Sequence, residues 1–350
     1  MRIAYLSNAK PKNLLTEKDN PAGQNFHFAL ASSLSRYADV TMLTQSLPFG
    51  EVRRVNESLS FLGIRQNGNF LVRAWHTRSL LREYDGVVFD TLSLFCCYAA
   101  SCLSNSVAVA TDDPANLSDL SKQYRSVSIR LSRKASAFYA LTNDLMRLYN
   151  PKGKKGAVVP GIAYEVVTRE IKRRPYLYFG GALFERYGVD SLLSSYLEFR
   201  PDYDLLISGH GKMESQLERY RDAQEGIIYL GNIPQSEHCS YVKCSALSIN
   251  PRPFDERLDP YCVPSKVIEY LEFAPYFAST RSTPLEEEIY RCGNLLVPES
   301  GDPTGLRRFY KNHLDSSGKL INLNKNPAKG GLIDRISPEN VGKAILSLLR

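Results

Sequence analysis

The stretch DPYCVPSKVIEYLEF, residues 259–273, holds the side chains with the clearest chemical potential. Pro264, Ser265 and Lys266 open an apolar helical pattern, and Glu269 lies one turn inside it. The first amides of a helix lack partners within the helix, and the helix dipole places partial positive charge there. A phosphate at such an end gains roughly 0.3–1 kcal/mol when exposed. Lys266 adds a point charge. Glu269 can accept hydrogen bonds from a diol, each worth roughly 1.5–3 kcal/mol to a charged group. A dinucleotide or a sugar-nucleotide, which carries both phosphate and diol, would use all of these groups. An ordinary surface helix also fits, with Pro264 at the position that tolerates proline and Ser265 as cap or first-turn residue. Lys266 and Glu269 would then be an i,i+3 pair worth roughly a few tenths of a kcal/mol.

Three glycine loops precede this stretch, each after a predicted strand: Gly180-Gly181, Gly209-His210-Gly211 and Gly231-Asn232. Glycine there lets backbone approach a ligand closely, though most such glycines serve the turn itself. None of the three is a G-x-G-x-x-G or a Walker loop, so a nicotinamide site or a P-loop is poorly supported.

The elements that must position these residues alternate between short apolar strands and helices. In the first half, residues 2–7, 38–44, the VVFD run, 106–113, 136–142 and 156–162 read as strands. A loop with Pro11, Pro21 and Gly23 follows the first, leading into the helical pattern GQNFHFALASSLSRY. The polar, proline-terminated segment TREIKRRP, residues 168–175, reads as a linker. A second series follows: YLYFGG, DSLLSSYLEF, DLLISGHG, the helix MESQLERYRD, GIIYLGNIP, CSALSINPRP, the stretch quoted above, YFAST and NLLVPES. The chain closes on the amphipathic helix PENVGKAILSLLR. This alternation predicts parallel sheets covered on both faces, in two α/β halves of comparable size. Ligands of such sheets bind beyond the carboxyl ends of the strands.

At 350 residues the chain exceeds one ordinary core, so two domains are expected. The expected boundaries are 1–168 for the first and 175–335 for the second, with residues 336–350 a helix crossing back to the first. Hydrophobic content of 43% and charged content of 23% fit a soluble globular protein. No apolar run is long enough to span a bilayer, and the N-terminal run is too short for a signal peptide, which predicts a cytoplasmic protein. Seven cysteines without paired C-x-x-C spacing argue against a disulfide framework and a zinc site. The net charge of +7 is concentrated in residues 122–155, where nine Lys or Arg stand against the single acid Asp144. Such a segment suits a polyanion or an anionic membrane surface, or is simply a solvated face. It carries no nucleic-acid reader motif.

The order FGGALFERYGVD, LLISGHG, IIYLGNIP and NPRP…PSKVIEYLEF resembles the C-terminal half of GT-B glycosyltransferases, in particular the retaining family 4 of the capsule, lipopolysaccharide and cell-wall type. The resemblance is dense over residues 176–280 and weak over the N-terminal half. It implies two Rossmann-like domains facing across a cleft, the second holding a nucleotide-sugar donor. Glu269 matches the second glutamate of the family's E-x7-E element and would hold the donor ribose. The first glutamate falls at Tyr261, a departure that leaves the sugar hydroxyls to another group, such as Asp259. Pro264, Ser265 and Lys266 match the start of the helix that meets the diphosphate. Gly180 and Gly181 match the first glycine loop, with Arg186 as the nearest cation for the diphosphate. Asn232 and Ile233 match the turn that reads the base, and His210 lines the cleft. In the N-terminal domain Gly23 matches a loop touching the phosphates. Asp112 stands where relatives place a histidine near the donor sugar, where it could hydrogen-bond the sugar or simply cap the next helix, and Asp113 is as able as Asp112 to face the cleft.

The expectation is therefore a retaining hexosyltransferase, uridine donors favoured, acting on a glycan or polyprenyl-diphosphate-linked acceptor in surface polysaccharide synthesis. It would sit on the inner membrane face through residues 122–155. Amides, Arg186, Lys266 and Asp112 would do the chemistry with no metal and no cofactor, because no acidic D-x-D cluster occupies a suitable loop. The alternatives are a GT-B epimerase-type enzyme, a glycan phosphorylase, which would need a longer chain, and a non-enzymatic sugar or nucleotide binder.

Overall fold

Runs of small, aromatic and β-branched residues form the strands of two separate sheets in the computed structural model, which describes residues 1–15, 21–116, 122–221, 224–326 and 331–350. The first unit comprises Met1–Ala163, Pro260–Val263 and Asp334–Arg350, and the second Tyr164–Asp259 and Pro264–Ile333.

The strands of the first unit are β1 (Arg2–Leu6), β2 (Asp39–Thr44), β3 (Val52–Arg54), β4 (Leu59–Gly63), β5 (Gly86–Asp90), β6 (Ser106–Ala110), β7 (Ala137–Ala140) and β8 (Gly156–Val158). They lie in the order β3-β4-β2-β1-β5-β6-β7-β8. Every pairing is parallel except β3 with β4. All residues of β5 and β6, GVVFD and SVAVA, are buried, as expected for strands with helices on both faces. Side-chain caps start the surrounding helices: Asn69 Oδ1 accepts from Val72 N (2.9 Å) and Thr142 Oγ1 from Leu145 N (3.0 Å). The final helix, Pro338–Leu348, begins with Ser337 as cap and proline at N1, and packs on the helix Pro21–Leu34.

The second unit holds β9 (Tyr176–Gly180), β10 (Asp204–Ser208), β11 (Ile227–Tyr229), β12 (Leu247–Asn250), β13 (Phe277–Thr280) and β14 (Asn294–Leu296). Their order is β11-β10-β9-β12-β13-β14, parallel throughout. The chain winds outward from β9 in one direction and from β12 in the other, so the crevice between these two strands is the switch point where ligands of doubly wound sheets bind. Several tyrosines lie in the core, and some of their hydroxyls find carbonyls: Tyr176 donates to Tyr241 O (2.9 Å) and Tyr196 to Tyr203 O (2.8 Å), whereas the Tyr310 hydroxyl is buried without a hydrogen-bond partner among the described residues.

Several boundaries differ from those the sequence predicts. The first unit ends at Ala163, not 168. The polar segment 168–175 is not a free linker: Arg169 N donates to Ser240 Oγ (3.0 Å) and Lys243 Nζ to Thr168 Oγ1 (3.1 Å), which pins it to the helix Gln235–Cys244. The strand predicted over 106–113 stops at Ala110 because Asp112 and Asp113 turn the chain with their side chains. Gly23 lies in the first turn of the helix Pro21–Leu34, not in a loop. The helix predicted over 213–222 is shorter, Glu214–Leu217 followed by a 3-10 turn, and Asp222 lies outside the described residues.

Gly342 sits at the contact of the final helix with the helix Pro21–Leu34, where an added Cβ would stand 2.4 Å from the Ser33 carbonyl oxygen. On helix propensity alone Gly342→Ala should stabilise by about 1 kcal/mol. The clash reverses the sign, and a net loss of roughly 1–3 kcal/mol is expected. Thermal denaturation of the variant measures this. A raised Tm would show that the two helices are not in that close approach.

Candidate functional site

The carboxyl ends of β9 and β12 and the helix Ser265–Phe273 converge on one group of side chains in the second unit. Two adjacent glycines at the end of β9 create the space. A Cβ on Gly180 would stand 2.4 Å from His238 Nδ1, and a Cβ on Gly181 2.4 Å from Lys266 Cε. Gly181 also has φ +138°, a conformation side chains disfavour. These glycines therefore admit the side chains of His238 and Lys266, which lie on two different helices.

Glu269 is buried and both of its oxygens are engaged. Gln235 Nε2 donates to Oε1 (2.8 Å), and His238 Nε2 lies 3.0 Å from Oε2. An ionised carboxylate only accepts, so the His238 proton facing it is on Nε2. His238 Nδ1 in turn lies 2.9 Å from the Tyr178 hydroxyl, which contacts Ser208 Oγ at 2.6 Å. Burial alone would raise the Glu269 carboxyl. His238, these hydrogen bonds and the charge of Lys266 override it and hold the group below the usual carboxylate range.

Lys266 does not pair with Glu269, which rules out the simple i,i+3 surface pair. Its Nζ lies 5.2 Å from the centroid of the Phe179 ring and 5.0 Å from that of Tyr187. Among the described residues, no carboxylate or hydrogen-bond acceptor reaches it. Desolvation pushes its pKa down to about 8; Glu269 opposes this, and the positive charge of Arg252 adds to it. A partly buried ammonium that is held by ring faces alone lacks the anion such groups normally have. The helix start beside it is also open. Pro264 is the N-cap residue and offers no side-chain cap, and Ser265 is the first helical residue rather than the cap. Its leading amides can therefore meet an acceptor.

The other predicted residues fall as follows. Arg186 is exposed, in the one-turn 3-10 helix Glu185–Tyr187, and stacks over Phe184 (5.3 Å) and Tyr187 (5.0 Å). Lys266 and Arg186 thus both lie against the Tyr187 ring. His210 is half-exposed and paired with Glu214, whose Oε1 also accepts from Gly211 N (2.7 Å). Asn232 is exposed and Ile233 partly buried, next to the helix that supplies Gln235 and His238. Asp259 is buried, 3.5 Å from Arg252, with burial raising its carboxyl. In the first unit Gly23 is in its helix. Asp112 Oδ1 accepts from Asp113 N (2.8 Å) and Asn116 Nδ2 (2.5 Å), the local capping role. Asp113 is committed to Arg125 by two contacts of 2.7 Å; burial would raise its carboxyl, but this pair holds it low.

The middle glycines serve packing between loops. A Cβ on Gly209 would stand 1.8 Å from the Gly181 carbonyl oxygen and one on Gly211 2.4 Å from that of Leu183. Backbone hydrogen bonds Gly181 N to Ser208 O (3.0 Å), Leu183 N to His210 O (2.9 Å) and Gly209 N to Gly231 O (2.9 Å) lace the three loops together. Sequence reasoning missed His238, Gln235 and Arg252. Only their nearness in the chain to Asn232 and to the NPRP run could have drawn notice. The basic segment is also more occupied than its composition suggests. Arg125, Arg133, Arg147, Lys154 and Lys155 hold carboxylates or carbonyls, leaving Lys122, Arg130, Lys134 and Lys152 exposed.

No family model matches the sequence, and no curated protein does. Solved structures match along the whole chain. Sucrose-phosphate synthase from Thermosynechococcus elongatus has 10% identity and a TM-score of 0.66, over 100% of this chain and 95% of that one. HepE of Anabaena in complex with UDP-glucose has 13% identity and a TM-score of 0.65, over 99% and 98%. WaaG, a glycosyltransferase of lipopolysaccharide biosynthesis, has 15% identity and a TM-score of 0.57, over 87% and 88%. At such identities the likeness speaks for architecture, and with the two doubly wound sheets it establishes the GT-B fold for this chain.

Proposed function

We propose that the chain is a glycosyltransferase whose second unit receives a nucleotide-activated sugar at the crevice between β9 and β12. The observation that carries this reading is Lys266: a partly buried ammonium with no carboxylate among the described residues in contact, beside an uncapped helix start and a glycine loop. A diphosphate supplies the missing charge. As the bond to the sugar breaks, negative charge grows on the diphosphate, and Lys266, Arg186 and the helix amides are positioned to stabilise it. Glu269 has lone pairs to spare for a ribose diol while keeping Gln235 and His238, since a carboxylate offers about four acceptor sites. Uridine is the favoured base, supported by the family resemblance and by the UDP-glucose held in the Anabaena neighbour. A retaining course without metal and a glycan or lipid-linked acceptor complete the proposal.

A thermal-shift screen with UDP, GDP, dTDP and ADP tests it. One nucleotide should raise the Tm by several degrees, because a ligand that binds only the folded chain stabilises it. Release of nucleoside diphosphate with transfer of the sugar supports a transferase. Donor isomerised without release would point to an epimerase, and a shift without turnover to a binder. No shift with any of the four would remove the nucleotide reading. Glu269→Ala should abolish the shift, and a retained shift would mean that the ribose is held elsewhere.

Lys266→Met should separate stability from binding. The folded ammonium titrates near 8 against 10.5 in the unfolded chain. Between these values the unfolded chain keeps a proton the folded chain has lost, so wild-type stability rises with pH across that window. Below it the partly desolvated charge costs stability. The methionine variant should therefore gain roughly 1–3 kcal/mol at neutral pH, lose the high-pH rise, and lose the nucleotide shift. Because the diphosphate needs the protonated form, wild-type affinity should also fall as pH rises through about 8. A variant that is less stable and still binds would contradict the assignment.

A further inference from the structure

The strand β3 forms an open edge of the first sheet and, among the described residues, pairs with β4 alone. Its bonds alternate along the chain. Glu51 O accepts from Gly63 N (2.8 Å) and Val55 N donates to Leu59 O (2.9 Å), so residues 51, 53 and 55 bond toward β4. The intervening Val52 and Arg54 direct their N–H and C=O groups to the open edge. Exposed apolar side chains accompany them: Phe49 is 76% exposed, Val52 58% and Val55 44%. The segment FGEVRRVNE, residues 49–57, balances Glu51 and Glu57 against Arg53 and Arg54.

A bare edge of this kind is a template for another strand, and charged residues guard most of them. Here the order of the charges selects the strand that fits. A two-fold axis that joins β3 to its own copy in one antiparallel sheet places one residue opposite itself, because opposed residues must share a face. With Arg53 on the axis, arginine meets arginine in a close, non-hydrogen-bonded pair. With Arg54 on the axis, Arg54 meets itself and Glu51 meets Glu57. With Val52 on the axis, the two valines exchange N–H···O bonds through the groups already aimed outward. Glu51 of each copy then stands opposite Arg53 of the other. Glu51 and Arg53 already pair within one copy (2.6 Å), so the four charges alternate in sign along the seam. The same register carries Phe49 toward Val55 of the other copy. At Gly50 the backbone turns, with φ +81° and its N–H on Gly63 O (2.9 Å), which keeps the seam short.

We propose that β3 joins two copies of the chain through this antiparallel seam, with Val52 on the two-fold axis. The two eight-stranded sheets then continue into each other. The inference is independent of the nucleotide reading. So short a seam gives a weak dimer, with a Kd of about 1–100 µM.

Sedimentation velocity of the full-length chain over ~1–200 µM should show the mass rising with concentration toward that of a dimer. Val52→Pro removes an N–H that faces away from β4, and should leave a monomer at every concentration with Tm unchanged. Glu51→Arg and Arg53→Glu, each alone, put like charges across the seam and should weaken association about tenfold or more. Combined in one chain, the two substitutions oppose unlike charges again and should restore the dimer. Tm measured alongside separates loss of association from loss of fold, and the charge variants carry the test if Val52→Pro folds poorly. A monomer throughout this range at low salt would overturn the proposal. A dimer that survives Val52→Pro would move the contact to another face. Association lost in both single charge variants and still absent in the double would overturn the register.

Discussion

The site depends on a partly buried ammonium with no carboxylate among the described residues in contact with it. Lys266 enters the space left by Gly181 and rests its Nζ against Phe179 and Tyr187. Ring faces offset part of the lost hydration, but they do not replace an anion. The acid that could have neutralised it, Glu269 one turn away, is drawn off by Gln235 and His238. A folded chain optimised only for stability would pair the two or replace both. Groups that break this local rule are expected where binding has to be paid for with stability.

The surroundings follow from that constraint. Gly180 and Gly181 are consecutive because two side chains from two helices must pass the end of one strand. Gly209 and Gly211 let the next loop close on the first, so the wall of the crevice is a set of interlocked backbones. Tyr178 and Ser208, on adjacent strands, orient His238, and His238 orients Glu269. Rigid placement of charged groups is what an electrostatic mechanism requires, since donors that need not reorganise stabilise developing charge best.

The alternation of short apolar strands with helices made most of both sheets readable in advance, because parallel strands buried on two faces leave continuous hydrophobic runs, but β3 and β4 were not read. The helix start in the 259–273 stretch was readable for a similar reason: proline, serine and lysine at a helix start are local chemistry. What escaped were relations set by distant residues. His238 is 31 positions from Glu269, and no periodicity announces their contact. Segment 168–175 looks like a linker by composition and is held by Ser240 and Lys243 through bonds across more than seventy residues. Asp112 and Asp113 could not be told apart until Arg125 was seen to claim the second. In the basic run 122–155 five of the nine cations are held by carbonyls or carboxylates within the unit, and two of these, Arg125 and Arg147, are offset by Asp113 and Asp144. The Phe70–Leu81 helix lacked an amphipathic signature because apolar side chains lie on both its faces.

The most direct test is to follow the Lys266 side chain by heteronuclear NMR, titrating its Nζ in the free protein and with saturating nucleoside diphosphate. The account predicts a midpoint near 8 in the free chain and a rise of at least about one unit on binding, as the phosphate restores a counter-charge. A free midpoint at the ordinary lysine value, or one that the nucleotide leaves unmoved, would contradict it.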